Sequence, residues 1–340
     1  MLKDRKKEPS VKIAIWGAGA VGLGLASALA RPKSRLRILA RNEETAASIQ
    51  SQGILRTGLF GEIEIPPEQF DILRNARSFS EDPPEWLLIC TKAFSASEVA
   101  KELSEFAGRL TSTTRILLCQ NGWGNEIPFL EFWPAERLFH ARIITGFHRR
   151  DARRVEITAH ASAIAVGSLF KSSVDKGRVD KESVDLLRPL AERISQGGIP
   201  AETSEDMHAV LWAKMLYNCA LNPLGALAGR RYGELTNDPT TKALLEEVVH
   251  EIFSVLAAAG IDLAWPDATA YLETFYAELI PPTAAHESSM LQDLRAGNRT
   301  EIEALSGAVE RLGAAHGVAT PVTSGLATLV RAAETRARKE

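Results

Sequence analysis

The chain has 340 residues, 45% of them apolar and 24% charged, and its 40 Lys and Arg against 43 Asp and Glu leave a net charge of −3. That length corresponds to two domains, each able to bury its own core, and the composition excludes collagen-like, coiled-coil and disordered classes. The balanced charge offers no field for nucleic acid or an anionic membrane, and Cys90, Cys119 and Cys219 are spaced as free thiols of a reducing, cytoplasmic compartment, with no metal-binding cluster.

The first element has two readings. A basic head, MLKDRKKEPS, precedes the mostly apolar run Val11–Ala30, which by composition alone suits a signal peptide or a membrane span. Gly17, Gly19, Gly22 and Gly24 are poor residues for an inserting helix, and the second reading accounts for them. Val11–Trp16 is a β-branched-rich run typical of a strand covered on both faces. Gly17-Ala18-Gly19-Ala20-Val21-Gly22 follows, and an Ala- and Leu-rich helix runs to Ala30, ahead of Pro32. Strand, Gly-x-Gly-x-x-Gly and helix in that order make the phosphate turn of a dinucleotide site. Gly17 permits the tight turn, Gly19 lets a pyrophosphate approach the backbone, and Gly22 allows close helix packing. The N–H groups of the first helical turn, with the helix dipole, then receive the phosphate. This reading leaves no membrane span.

Arg35–Ala40 reads as the second strand. An acidic residue at its end holds the ribose 2′-hydroxyl of NAD, whereas an arginine accommodates the 2′-phosphate of NADP. Here the strand ends at Arg41, followed by Asn42-Glu43-Glu44-Thr45, a helix N-cap with an acidic first turn. Arg41 points to NADPH; Glu43 on the ribose, or Arg41 as a plain solvated charge, are the alternatives. Trp86–Thr91 and Arg115–Gln120 are apolar runs of parallel-strand type, and helices over Ser95–Phe106 and Trp123–Glu131 give the alternation of a doubly wound sheet. Ligands of such sheets lie beyond the carboxyl ends of the strands, where Thr91-Lys92 and Gln120-Asn121-Gly122 stand. Lys92 can meet a cofactor or substrate anion there, and the Asn121 amide can orient a carboxamide or carbonyl. A surface lysine and a turn-forming Asn-Gly are the plainer readings. Leu138–Gly167 is β-rich and extends the first domain, with a basic turn at Arg149–Arg154. Lys171–Ser183 is a polar connection, Val184–Gln196 a helix, and Gly197–Ala201 a closing edge strand.

Past Thr203 the pattern becomes helical, so the expected division is 1–203 α/β and 204–340 all-α. Apolar residues recur at helical spacing over His208–Leu221, Lys242–Ala258 and Glu301–Ala315, the last two stopped by Gly260 and Gly317. Lys214, Asn218 and Asn222 stand at i, i+4 and i+8 and so share one helix face. Such a polar strip is expensive to bury unless something binds it, although a solvated face has the same spacing. Pro223 lacks an N–H and disfavours helical geometry at Asn222, so a kink or break is expected there.

Together with the glycine turn, Thr91-Lys92 and Gln120-Asn121-Gly122, two further stretches resemble the ketopantoate reductase (2-dehydropantoate 2-reductase) family over nearly the whole chain. They are Trp212-x-Lys214-x3-Asn218-x3-Asn222-Pro223-Leu224 and Ser288-Ser289-Met290-Leu291-Gln292-Asp293, the latter running on to Arg299-Thr300-Glu301-Ile302-Glu303. The resemblance implies a Rossmann domain followed by a 6-phosphogluconate-dehydrogenase-like helical domain, with the active site in the cleft between them. It implies NADPH-dependent reduction of ketopantoate to (R)-pantoate, a step toward pantothenate and coenzyme A. On it Lys214 matches the general acid, and Asn218, Asn222 and Ser289 match the residues that hold the 2-oxo acid. Asn121 falls near the nicotinamide and substrate, and Glu301 near the cofactor ribose and substrate. Arg41, Lys92 and the turn Gly17, Ala18, Gly19, Ala20, Val21, Gly22 fall where NADPH is contacted. Members occur as monomers and homodimers. Three places depart from the pattern: Tyr232, where the family often has Asn touching substrate; His286, where it often has a polar amide; and Arg149–His160, which lacks a Pro-Gly turn. A related dehydrogenase of a bulkier 2-oxo or 3-hydroxy acid is therefore a second reading, and a non-catalytic NADPH-binding regulator a third.

Overall fold

The computed structural model describes residues 11–32, 36–170 and 181–337. The basic head, Arg35, the 171–180 part of the polar connection and the last three residues of the basic tail lie outside the described residues. The chain divides into two compact units, Met1–Gln120 with Glu126–Met207, and Asn121–Asn125 with His208–Glu340. Chain order alone, with a boundary drawn at 204, does not reveal that Asn121–Asn125 groups with the helical unit.

The first unit begins β1 (Ile13–Trp16), α1 (Ala20–Leu29), β2 (Leu36–Leu39), α2 (Glu43–Gln52), β3 (Ile54–Gly58), β4 (Ile63–Ile65), β5 (Phe70–Leu73) and α3 (Arg77–Glu81). It continues β6 (Trp86–Ile89), α4 (Ala96–Ser104), α5 (Ala107–Leu110), β7 (Arg115–Leu118), α6 (Ile127–Leu130) and β8 (Leu138–Arg142). It ends β9 (Thr145–Arg149), β10 (Arg154–His160), β11 (Ile164–Gly167), α7 (Lys181–Gln196) and β12 (Ala201–Thr203). Eight strands form one sheet in the order β12-β11-β8-β7-β6-β1-β2-β5, parallel except where β11 meets β8. Every residue of β1, β2 and β6 is buried, as in strands covered on both faces. The chain moves from β1 outward to β2 and β5, then returns to the other side at β6. That reversal creates the crevice, beyond the ends of β1 and β6, where open parallel sheets take ligands.

The β-rich run 138–167 lies within the first unit, and its strands divide between two sheets. β8 and β11 join the eight-stranded sheet, but β9 and β10 pair with β3 and β4 in a second sheet of order β4-β3-β10-β9. The reason lies in α1, whose residues Gly22–Leu29 are buried all round and so need cover on the face turned away from the large sheet. Phe147 of β9 supplies it, so close that a Cβ on Gly24 would lie 2.3 Å from the ring. The apolar N-terminal run is therefore a buried strand followed by a helix sandwiched between sheets. Among the described residues no helix is long and apolar enough to cross a membrane. The closing edge strand is Ala201–Thr203 rather than 197–201, because Gly198 at φ +83° turns the chain first. The helix expected over 123–131 shrinks to α6, since Gly122 and Gly124 hold positive φ and the chain turns around them.

The second unit holds α8 (Met207–Ala228), α9 (Tyr232–Asn237), α10 (Pro239–Ala259), α11 (Ala268–Thr274), α12 (Ser289–Arg295), α13 (Ser306–Ala315) and α14 (Pro321–Ala337). Its core packs Trp212, Leu216, Val249, Tyr271, Phe275 and Val330, all fully buried. Pro223 does not break the helix as expected: α8 continues to Ala228. Proline removes one hydrogen bond, and burial of the whole segment 219–226 offsets that loss. The helix expected from Glu301 begins only at Ser306. Ahead of it the chain makes a turn over 301–305, but Leu305 at φ −98° and ψ −103° leaves helical geometry and the Gly307 N–H donates to the Ile302 carbonyl five residues back at 3.0 Å, so that turn does not run on into the helix. Glu251 on α10 is buried and accepts from the Val322 and Thr323 N–H groups at 2.7 and 2.8 Å, capping the start of α14.

Candidate active site

In the first unit the candidate site is made of backbone. Gly17 sits at φ +110°, a conformation side chains rarely adopt, and a Cβ there would lie 3.0 Å from the Cys90 and Thr91 backbone. A Cβ on Gly22 would fall 1.9 Å from the Gly17 carbonyl oxygen. Gly19 differs: a Cβ there would meet nothing within 4 Å, so the space above it is open. Gly19 is also the N-cap of α1 and offers no side-chain cap. The first-turn N–H groups around Ala20, Val21 and Gly22 are thus left for an acceptor from outside. Ala18 is buried beneath this turn.

At the end of β2, Arg41 is exposed, lies 5.4 Å over the Trp16 ring, and pairs with Glu98 at 2.7 Å and with Glu102. A second guanidinium, Arg74, donates to the Arg41 and Asn42 carbonyls at 3.2 and 3.3 Å and pairs with Glu43. The strand end therefore carries two arginines, the second of which sequence spacing does not suggest because it arrives from the β5 end. Glu43, the alternative ribose acceptor, is already engaged by it. Asn42 caps α2 through the Thr45 N–H at 2.8 Å. Lys92, past the end of β6, is exposed, and its carbonyl accepts from the Gln120 side chain, which also donates to Thr91 Oγ1.

In the second unit the candidate site is made of side chains. Lys214, half-buried on α8, donates from Nζ to Asn121 Oδ1 at 2.5 Å, and Asn121 Nδ2 donates to Glu301 Oε2 at 2.9 Å. One amide thus bridges an ammonium and a carboxylate, each charge fixing one end of it. Gly122 explains how residue 121 reaches residue 301. At φ +97°, its missing Cβ would stand 2.4 Å from the Ala304 oxygen, and the Trp123 N–H donates to that same oxygen at 2.8 Å. The Trp123 ring rests 5.0 Å from Trp212 and 5.5 Å from His208, tying the segment to α8. The Asn-Gly is therefore both a turn former and the device that delivers Asn121.

Asn218 and Asn222 continue the strip on the unbroken α8. Asn218 is half-buried and makes no side-chain hydrogen bond with a described residue. Asn222 is buried and accepts from the Tyr232 hydroxyl at 2.7 Å. Ser289 opens α12 as an exposed residue, its neighbour Ser288 capping that helix through Leu291. Tyr232 packs edge-on to Tyr217 at 5.7 Å and tilted against His286 at 5.2 Å. The two departures from the family pattern, Tyr232 and His286, thus stand side by side, near Asn222.

Two family profiles match the chain: one described as ketopantoate reductase PanE/ApbA over residues 13–170, the other as its C-terminal part over 206–334. A relative from Aquifex aeolicus named 2-dehydropantoate 2-reductase is 33% identical, over 95% of this chain and 97% of that one. Among solved structures, a 2-dehydropantoate 2-reductase from Geobacter metallireducens shares the fold at TM-score 0.80 and 24% identity, covering 95% of this chain and 100% of that one. A D-mandelate dehydrogenase solved with NADH and anilino(oxo)acetate superposes at TM-score 0.78, 24% identical, over 96% and 99% of the two chains.

Proposed function

The chain belongs to the ketopantoate reductase family, oxidoreductases that act on a CH–OH group, and on that premise we propose that it reduces ketopantoate with NADPH, Lys214 being the proton donor. The product is pantoate, the precursor used to build pantothenate. The observation that carries the reading is the Lys214–Asn121–Glu301 chain, which aims a held ammonium from a strip that otherwise offers amides.

The residues present fit a dinucleotide. The open space over Gly19, the uncapped start of α1 and the reversal of strand order at β1 and β6 together accept a pyrophosphate. Arg41 and Arg74, paired now with carboxylates, supply guanidinium groups suited to a 2′-phosphate, which favours NADPH over NADH. Bound there, the dinucleotide supplies the hydride. The chain's own contribution is binding and protonation. Asn218, Asn222 and Ser289 donate hydrogen bonds to the substrate carboxylate and hydroxyl. Lys214 stabilises the alkoxide that develops on the ketone oxygen and gives it a proton, while Asn121 and Glu301 keep the ammonium in place.

The cluster of Tyr217, Tyr232 and His286 favours one second reading, a 2-oxo acid with a bulkier or aromatic side chain. Steady-state turnover of ketopantoate and a panel of branched and aromatic 2-oxo acids, each with NADPH and NADH, tests both. The proposal expects the highest kcat/KM for ketopantoate with NADPH. An aromatic substrate winning the panel selects the second reading. Tight NADPH binding without consumption of any 2-oxo acid leaves the chain a binding protein.

A further inference from the structure

We propose that Tyr232 is a positioning residue: its hydroxyl fixes the orientation of the Asn222 amide and so turns the α8 strip into a carboxylate receptor. The inference rests on the reading of Lys214, Asn218 and Asn222 as the substrate strip.

Asn222 and Tyr232 are 5% and 4% exposed, and the Tyr232 hydroxyl donates to Asn222 Oδ1 at 2.7 Å. An amide has an accepting end and a donating end of almost the same shape. Left to itself at the edge of an anion site, it loses binding power whenever its oxygen turns toward the anion, because a carboxylate only accepts hydrogen bonds. Tyr232 removes that freedom. Asn222 is the sole hydrogen-bond partner of the hydroxyl among the described residues, so the opposite amide orientation leaves a buried O–H without an acceptor, a costly state. With Oδ1 committed to the phenol, Nδ2 points away from it, and no described residue accepts from it. Two N–H bonds are thereby held for an acceptor that the protein does not supply.

The tyrosine itself is held at several points. Its ring stands between Tyr217 and His286, its N–H donates to the His286 carbonyl at 3.1 Å, and the Gly233 N–H donates to the Ala284 carbonyl at 2.9 Å. Burial, with a smaller effect of Tyr217, pushes the phenol well above its ordinary range, so it remains a donor across the working pH. A shape-filling aromatic residue needs none of this hydroxyl geometry.

The experiment compares wild type with Tyr232→Phe on a 2-oxo acid and on its uncharged methyl ester, with melting curves recorded for both proteins. Positioning predicts that KM for the acid rises about tenfold, kcat falls much less, and KM for the ester moves less than about twofold. A purely structural role weakens acid and ester alike and overturns the proposal, as does an unmoved KM for the acid. Combining Tyr232→Phe with Asn222→Ala adds a check that does not depend on fold strength. The proposal requires the tyrosine change to have almost no further effect once the amide is gone, and additive effects overturn it. A wild type that turns over no 2-oxo acid overturns the reading of the strip itself, whereas a working wild type with additive mutants overturns Tyr232 alone.

Discussion

The glycine turn proposed to take the pyrophosphate occupies six consecutive residues and offers only its backbone, whereas the cluster around Lys214 gathers side chains from residues 121, 214 and 301. In the turn, side-chain identity matters little and a single added Cβ is decisive: 1.9 Å from a carbonyl oxygen at Gly22, open space at Gly19. In the cluster, the backbone only delivers groups, and the proposed reaction gives each group a separate chemical task. The two regions should therefore fail in different ways. Damage to the turn shows as lost cofactor affinity or lost stability, and damage to the cluster as lost turnover in a protein that still folds and binds.

The largest effect belongs to the cluster. Lys214→Ala should lower kcat by about 10²–10⁴-fold, the usual contribution of a positioned acid, while dinucleotide affinity measured by fluorescence titration stays within about twofold. Unchanged turnover would remove Lys214 from the acid role. The turn gives the complementary outcome. Gly22→Ala drives a Cβ into the Gly17 backbone, which cannot yield as a side-chain tip can, and should destabilise the fold by about 2–4 kcal/mol. Gly19→Ala meets nothing, so its melting temperature should match wild type while its NADPH affinity drops about tenfold or more. Equal melting curves for both variants would break the distinction between packing glycine and ligand glycine.

This contrast also explains what the sequence made legible. The glycine turn is local, so its spacing and flanking strand and helix announce it, and β1, β6, β7 and α1 lie within a few residues of where periodicity places them. Lys214, Asn218 and Asn222 are legible as a strip because helix geometry is local too. The link from Lys214 through Asn121 to Glu301 is not, since it depends on the approach of Gly122 to Ala304, two residues far apart in the chain. The same holds for Arg74 beside Arg41 and for the second sheet, whose β3 and β4 are short and carry weak apolar alternation. Pro223 misled for the opposite reason. A local rule forecasts a break, and tertiary burial overrides it.

The helical unit's own supports lie below these effects in size. Glu251→Ala should cost about 2–3 kcal/mol, because it strips α14 of a buried charged cap and leaves the Val322 and Thr323 N–H groups unmatched. A thermal melt that shifts without any change in KM would keep Glu251 apart from the lysine cluster, and a shifted KM would join them.

The smallest effect concerns the ion group of Glu303, Glu310 and Arg331. Arg331 donates to Glu303 at 2.7 Å and to Glu310 at 2.6 Å, and that bond, helped by the charges of Arg331, Arg311 and Arg299, holds the Glu303 carboxyl below its ordinary range. A carboxyl lowered on folding stabilises the native state fully above the unfolded value of ~4.3 and loses that contribution as pH falls through the lower folded value. Glu303 is 45% exposed, so water screens the pair and the contribution should be only about 0.5–1 kcal/mol. In urea unfolding, Arg331→Gln should therefore lag wild type by about that amount at pH 7, with the gap closing as pH falls toward 3. A gap of constant size across that range would mean that Arg331 acts through the packing of its stem rather than its charge.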